Sequence, residues 1–235
     1  MLSNEETLLD NPAYASLLGA HARFAQVSGR VRRYRDDVAP FLALPSPPSA
    51  RDWRDAADLV APGTFVAGRY GDAELPEGWR AVQSFELVQM IEERVTGGDC
   101  AEAVALTAAD VPEMLALVAQ TEPGPFLPRT IELGEYLGVR RDGILVAMAG
   151  ERFRLDGWTE ISAVCTRPDH RGQRLASRLV GALITGIQRR SERVFLHVLS
   201  TNTEAIRLYE ELGFRVRQTA TLTVVTREEI PDAET

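Results

Sequence analysis

The chain has 235 residues, 45% of them apolar, enough to bury the core of one large domain or two small ones without disulfide or metal staples. Its formal net charge of −8 argues against general binding to nucleic acid, and all 26 cationic residues are arginine, which excludes a Schiff-base lysine and a Walker-type phosphate loop. No apolar run approaches the roughly 18 residues of a membrane span, and the opening MLSNEETLLDNP lacks the basic-then-apolar order of a signal peptide. The expectation is a cytoplasmic protein with neither membrane nor nucleic acid among its partners. Cys100 and Cys165 match no metal-ligand or CxxC spacing and read as small buried apolar residues in a reducing compartment, with no metal expected.

In chain order, the arginine-rich stretch SGRVRRYRDD reads as a solvated charged face, with attraction of an acidic substrate as the other reading. LPSPPSA is a proline-rich turn, and ARDWRDAADLV has helical spacing through Trp53, Ala57 and Val60. GTFVAGRY and RAVQSFELVQMI read as strands. Gly97 and Gly98 in RVTGGDC then break the chain, which predicts a mixed α/β region over 1–98 and a second domain over 99–235.

The second part begins with a short strand in EAVALT and a helix with Asp110 as N-cap and Pro112 in its first turn. YLGVRRDGILVAMAGERF is two strands joined across Asp142-Gly143, and WTEISAVCT follows the Asp156-Gly157 turn as a third. A long helix comes next, with Leu175, Leu179, Leu183 and Ile187 on one row and Ala176, Val180 and Ile184 on its neighbour. The strand RVFLHVLS, the short helix NTEAIRLYEEL stopped by Gly213, and a last strand in FRVRQTATLTVV complete the order. REEIPDAET reads as a solvated tail.

The mouth of the long helix carries HRGQRLASRLV. The first turn of a helix has unpartnered N–H groups and partial positive charge, so a glycine turn flanked by Arg171 and Arg174 suits an anion, most simply a pyrophosphate; an ordinary strand-to-helix corner is the other reading. About thirty residues on, Tyr209 lies one turn before the end of the short helix. Together VCTRPDHRGQRLASRLV and NTEAIRLYEELGF resemble the GNAT superfamily of acetyl-CoA-dependent N-acetyltransferases over roughly residues 99 to 226, and the element order is similar to that family's.

The resemblance implies an α/β fold of the α+β type, a mixed, mostly antiparallel sheet flanked by helices. It implies acetyl-CoA as co-substrate and transfer of the acetyl group to a primary amine of a small molecule, amino acid or peptide. Val164, Cys165 and Thr166 would lie along the pantetheine arm, and Arg171, Gly172, Gln173, Arg174, Leu175 and Ala176 around the pyrophosphate. Arg174 stands where the family pattern carries a glycine; it either neutralises phosphate or faces outward. Tyr209 matches the acid that protonates the leaving thiolate, or else packs beneath its helix. Asn202 matches an asparagine near the pantetheine, or serves as helix N-cap.

Glu160 matches the position of a base that deprotonates the acceptor, directly or through water, with a solvated strand-end carboxylate as the other reading; burial would raise its pKa and suit it to that role. His170 and His197 are given no catalytic role. The N-terminal part weakly resembles the extra half of glycine-acyltransferase-like members, which would flank the acceptor cleft, as would the loop TEPGPFLPRT. A catalytically silent module that senses CoA or a metabolite is the alternative function, and a homodimer is left open on base rates.

Overall fold

The structure, a computed structural model, describes residues 6–71 and 74–228; most of the predicted C-terminal tail lies outside them. Helix α1 (Pro12–Leu18) is followed by the strands β1 (Ala25–Ser28), β2 (Val31–Tyr34) and β3 (Leu42–Ala43), then α2 (Ala50–Leu59), β4 (Phe65–Gly68) and β5 (Trp79–Glu92). The remainder runs β6 (Ala103–Ala105), α3 (Val111–Thr121), β7 (Tyr136–Arg141), β8 (Ile144–Leu155), β9 (Trp158–Thr166), α4 (Leu175–Arg189), β10 (Arg193–Leu199), α5 (Thr203–Glu211) and β11 (Phe214–Arg227). This is the expected strand-helix-meander-helix-strand-helix-strand order, in an α/β fold with a mostly antiparallel sheet.

Local chemistry explains most of these elements. Asp142 and Gly143 both have positive φ, 51° and 80°, so the β7–β8 turn has the primed geometry that matches strand twist. In α4 the predicted row Leu175, Leu179, Leu183 and Ile187 is fully buried, each leucine or isoleucine contributing about 1.5–3 kcal/mol by removal from water. Asp110 is the N-cap residue of α3, as expected, but its side chain makes no cap bond to that helix: its carboxylate accepts from the Thr107 N–H at 2.8 Å in the preceding 3-10 turn and pairs with Arg140. The arginine-rich stretch is solvated only in part: Arg30, Arg35, Asp36 and Asp37 are exposed, but β2 lies within it and Arg33 is buried with its guanidinium on the Leu59 carbonyl at 2.6 Å.

The principal sheet has the order β4-β11-β5-β10-β9-β8-β7-β6, and β9 with β10 is its parallel pair. A smaller sheet, β1-β2-β3, lies in the N-terminal part. On one face of the large sheet α4 and α5 bury Leu179, Leu183, Val194 and Tyr209. Elsewhere α1 and the small sheet bury Leu17, Tyr34 and Phe41 against Phe153, Trp158 and Phe195, and α3 packs on Tyr136 and Met148.

Residue 98 does not divide this architecture. β5, from the first part, is seated between β10 and β11 of the second, and β4 pairs with β11. The two glycines read as a boundary serve close packing instead: Gly98 N–H donates to the Gly181 carbonyl at 2.9 Å, and a Cβ on Gly97 would run into the Thr185 hydroxyl and meet its backbone at 3.1 Å. Gly97→Val is therefore expected to cost about 1–3 kcal/mol, read as a fall in the urea midpoint, where a linker glycine would tolerate the change.

Candidate active site

The parallel pairing of β9 with β10 runs from Trp158 opposite Arg193 to Ile161 opposite Leu196 and then stops, although the strands continue to Thr166 and Leu199. The strands therefore part. A register shift against β8 between Ser162 and Cys165, with Ala163 at φ 52°, marks the bulge that turns β9 away. The gap opens into a cavity of about 860 Å³ whose wall includes Val164, Cys165 and Thr166. Backbone groups of a strand that has lost its neighbour are free to pair with a ligand. Thr166 Oγ1 is buried without a hydrogen-bond partner among the described residues. Burial pushes the Cys165 thiol up to about 11, so it stays protonated and suits packing better than nucleophilic chemistry.

At one end of the cavity lies the turn before α4. Gly172 has φ 78° and Arg174 φ 55°, and the N–H groups of Gly172, Gln173 and Arg174 make no backbone hydrogen bond among the described residues. Arg174 thus adopts the left-handed conformation that a glycine takes at no steric cost, and for an L-residue this costs about 1–2 kcal/mol. Arg171, Gly172, Arg174, Leu175 and Ala176 all line the cavity; Gln173 does not. Neither Arg171 nor Arg174 forms an ion pair among the described residues, so two cations and a row of amides face one opening.

Tyr209 on α5 lines the same cavity, packed edge-on against Phe214 with ring centroids 5.9 Å apart. Burial raises its pKa to about 12, and the hydroxyl has no hydrogen-bond partner among the described residues. Asn202 does both things expected of it in alternative: its Oδ1 accepts from the Ala205 N–H at 3.1 Å as N-cap, and the residue lines the cavity. The wall is closed by residues 121–125 of the predicted loop and, from the N-terminal part, by Pro12, Phe41, Leu42 and Arg69.

Glu160 is fully buried and does not itself reach the cavity. Both its oxygens are occupied: Arg152 donates from Nε to Oε2 and from Nη2 to Oε1, each at 2.7 Å, and His197 Nδ1 lies 2.6 Å from Oε1. Arg152 in turn lies over the rings of Phe153 and Phe41, 5.0 and 5.3 Å from their centroids. Burial alone pushes the carboxyl pKa up, but the guanidinium charge, its hydrogen bonds and that of His197 outweigh this and hold it at about 2. The expectation that burial would raise this pKa is thereby corrected. A carboxylate so paired is a weak base, and the side chains that stand between it and the cavity are Arg152 and His197.

The tautomer of His197 follows from its neighbours. Gln89 Oε1 accepts from Arg217 Nη1 at 2.8 Å and Gln89 Nε2 donates to the Leu9 carbonyl at 2.8 Å, which fixes the amide. Gln89 Nε2 is also 3.0 Å from His197 Nε2, so that ring nitrogen must accept and Nδ1 must carry the proton given to Glu160. Sequence reading missed Arg152, Gln89 and His197. The available signal was a charged or polar residue inside each of three apolar strands, on positions that the register places together: Gln89 opposite His197, and Glu160 opposite Phe195 two residues before it.

Two measurements probe this cluster. Arg152→Met leaves a buried carboxylate unpaired and is expected to cost about 3–5 kcal/mol in urea unfolding at neutral pH. Because the folded Glu160 pKa is depressed from 4.5 to about 2, its contribution is present above pH 4.5 and is lost as pH falls through that window. Glu160→Gln should therefore flatten the stability loss expected of the unaltered protein between pH 4.5 and 2, read as urea midpoints across that range.

The chain is similar to several known proteins. The FR47-like protein family matches residues 136–224. A crystal structure of a GNAT-family protein from Novosphingobium aromaticivorans is 38% identical, with a TM-score of 0.86 over 94% of this chain and 99% of that one. A GCN5-related N-acetyltransferase from Kribbella flavida shares the fold at 18% identity and a TM-score of 0.55, over 94% of this chain and 96% of that one. No curated protein matches the chain. No helix of the described residues is long and apolar enough to cross a membrane. With a strand pair that parts beside an amide-rich, arginine-flanked turn, and a relative aligned over almost its whole length, this chain belongs to the GNAT family and is an acyltransferase.

Proposed function

We propose that the protein is an N-acetyltransferase that carries an acetyl group from acetyl-CoA to the primary amine of a small molecule. The observation that carries this reading is the placement of the parted strands, the amide-rich turn and the Tyr209 hydroxyl around one cavity. The N–H groups of Gly172–Arg174 with the cations of Arg171 and Arg174 would hold the pyrophosphate, and β9 from Val164 to Thr166 would pair with the pantetheine amides. When bound, acetyl-CoA supplies a thioester activated toward an amine.

The protein's part is to move two protons. An acceptor arrives as an ammonium and must lose one before its nitrogen attacks the thioester carbon. His197, whose strand forms the cavity wall where β9 and β10 part, can take it at Nε2, because Nδ1–H already faces the Glu160 carboxylate, which would stabilise the imidazolium. The acceptor ammonium would displace the Gln89 N–H from the same lone pair. As the carbon–sulfur bond breaks, Tyr209 gives its hydroxyl proton to the departing sulfur, and the phenolate is reprotonated by the second proton that the nitrogen sheds as it becomes an amide. The apolar walls that raise the tyrosine pKa disfavour a thiolate there as well, so the transfer is less uphill than the free pKa values suggest. Glu160 then acts by orienting His197 and Arg152, and the proton itself goes to the histidine.

The test is calorimetric titration with acetyl-CoA and with CoA, then thiol release over a panel of amines. Binding with release supports the reading, and absence of acetyl-CoA binding would remove it. Tyr209→Phe and His197→Gln are expected to lower kcat by about 10²-fold or more with acetyl-CoA affinity unchanged. Gly172→Val, strained at positive φ and intruding on the amides, should weaken acetyl-CoA binding at least tenfold by the same titration, about 1.4 kcal/mol.

A further inference from the structure

Arg69, just after β4, is a cation that the mechanism above does not use. It lines the cavity and also an adjoining cleft of about 700 Å³. Its guanidinium forms no ion pair among the described residues, and its hydrogen bond to protein is a long one, from Nη1 to the Leu9 carbonyl at 3.4 Å. The two other arginines of this region are answered: Arg217 pairs with Asp10 and Arg152 with Glu160, both at 2.7 Å. Burial lowers the Arg69 pKa, Asp10 nearby partly opposes this, and Arg217 adds a smaller lowering, which marks a charge short of solvent.

The place of this charge is specific. The Leu9 carbonyl that receives Arg69 Nη1 also receives Gln89 Nε2 at 2.8 Å, and Gln89 Nε2 lies 3.0 Å from His197 Nε2. Three successive contacts thus join an unanswered guanidinium to the nitrogen that would accept the substrate's proton. The surrounding wall is apolar, with Phe41, Leu42, Phe85, Leu87 and Leu222. A ligand complementary to this end carries an anion within a few bond lengths of its amine and an apolar body between aromatic and aliphatic walls.

Resting on the transferase reading, we infer that the acceptor is a free amino acid with an apolar side chain, its α-carboxylate bound by Arg69 and its amine at His197. A peptide N-terminus or a diamine lacks the carboxylate beside the amine and would leave Arg69 unpaired.

The experiment compares leucine, methionine and phenylalanine with their amides in thiol release from acetyl-CoA, using the full chain and the variants Arg69→Met and Arg69→Lys. The amides have the more readily deprotonated amines, so preference for the acids reports recognition and not nucleophilicity. The expected result is a kcat/KM for the acids at least about tenfold above that for the amides, abolished in Arg69→Met, partly kept in Arg69→Lys, with acetyl-CoA affinity unchanged in both. Equal use of acids and amides by the unaltered protein, or a preference that survives Arg69→Met, overturns the inference. Acetyl-CoA binding without thiol release from any of these acids also overturns it while leaving the donor half of the reading intact. Absence of acetyl-CoA binding removes the transferase reading itself. Thermal unfolding of each variant separates loss of recognition from loss of fold.

Discussion

A carboxylate with no solvent exposure stands near the point where β9 and β10 part, and the surrounding structure is arranged to keep it charged. Ionised and alone at that depth, Glu160 would cost several kcal/mol; with Arg152 on both oxygens and His197 on one, its charge is met by a full guanidinium and a third hydrogen bond. Those partners need holding in turn. Phe41 and Phe153 lie against the guanidinium, and Gln89, on a strand from the N-terminal part, fixes the histidine. The first ninety residues are thus bound into the site twice, by a strand within the sheet and by an aromatic cover over the ion pair. Removing them would expose both the sheet's interior pairing and the charge at its centre.

This arrangement explains which features could be read from sequence. The leucine row of α4, the Asp142-Gly143 turn, the Asn202 cap and the placement of Tyr209 depend on spacing within a few residues, and local spacing is visible in a chain. The position of β5 between β10 and β11 depends on pairings more than a hundred residues apart, which no local pattern reports. Gly97 and Gly98 show the same limit from the other side: glycine marks both flexible joints and close approaches, and only the proximity of Thr185 and Gly181 separates the two. Glu160 was visible as a carboxylate in the expected place, but the sign of its pKa shift was not, because that sign is set by Arg152, whose facing position depends on strand register. A histidine on an apolar strand is usually structural, and the partners of His197 on two other strands, Gln89 and Glu160, make it an exception.

Two residues in the cavity wall, Ala163 and Arg174, take left-handed backbone conformations that glycine would occupy at no steric cost. Each is strained by about 1–2 kcal/mol, and each sits where a ligand would be shaped: one bends β9 away from β10, the other opens the amides before α4. A glycine at 174 would relieve the strain but remove a cation from a turn suited to a pyrophosphate. Side-chain charge there offsets backbone strain only when an anion is present, so the cost belongs to the unliganded protein.

The absence of lysine bears on the same balance. A lysine at position 152 would place a point charge near one carboxylate oxygen and leave the other to find a donor in an apolar layer. The planar guanidinium serves both oxygens at equal length while its carbon lies over the Phe41 and Phe153 rings, so it meets the hydrogen-bonding and packing requirements together. Arg69 brings the same fork to the cavity wall without a carboxylate to receive it. A two-oxygen anion fits that fork, and on the proposed reading the pyrophosphate lies at the amide-rich turn elsewhere on the cavity wall, which leaves the fork to the acceptor's carboxylate.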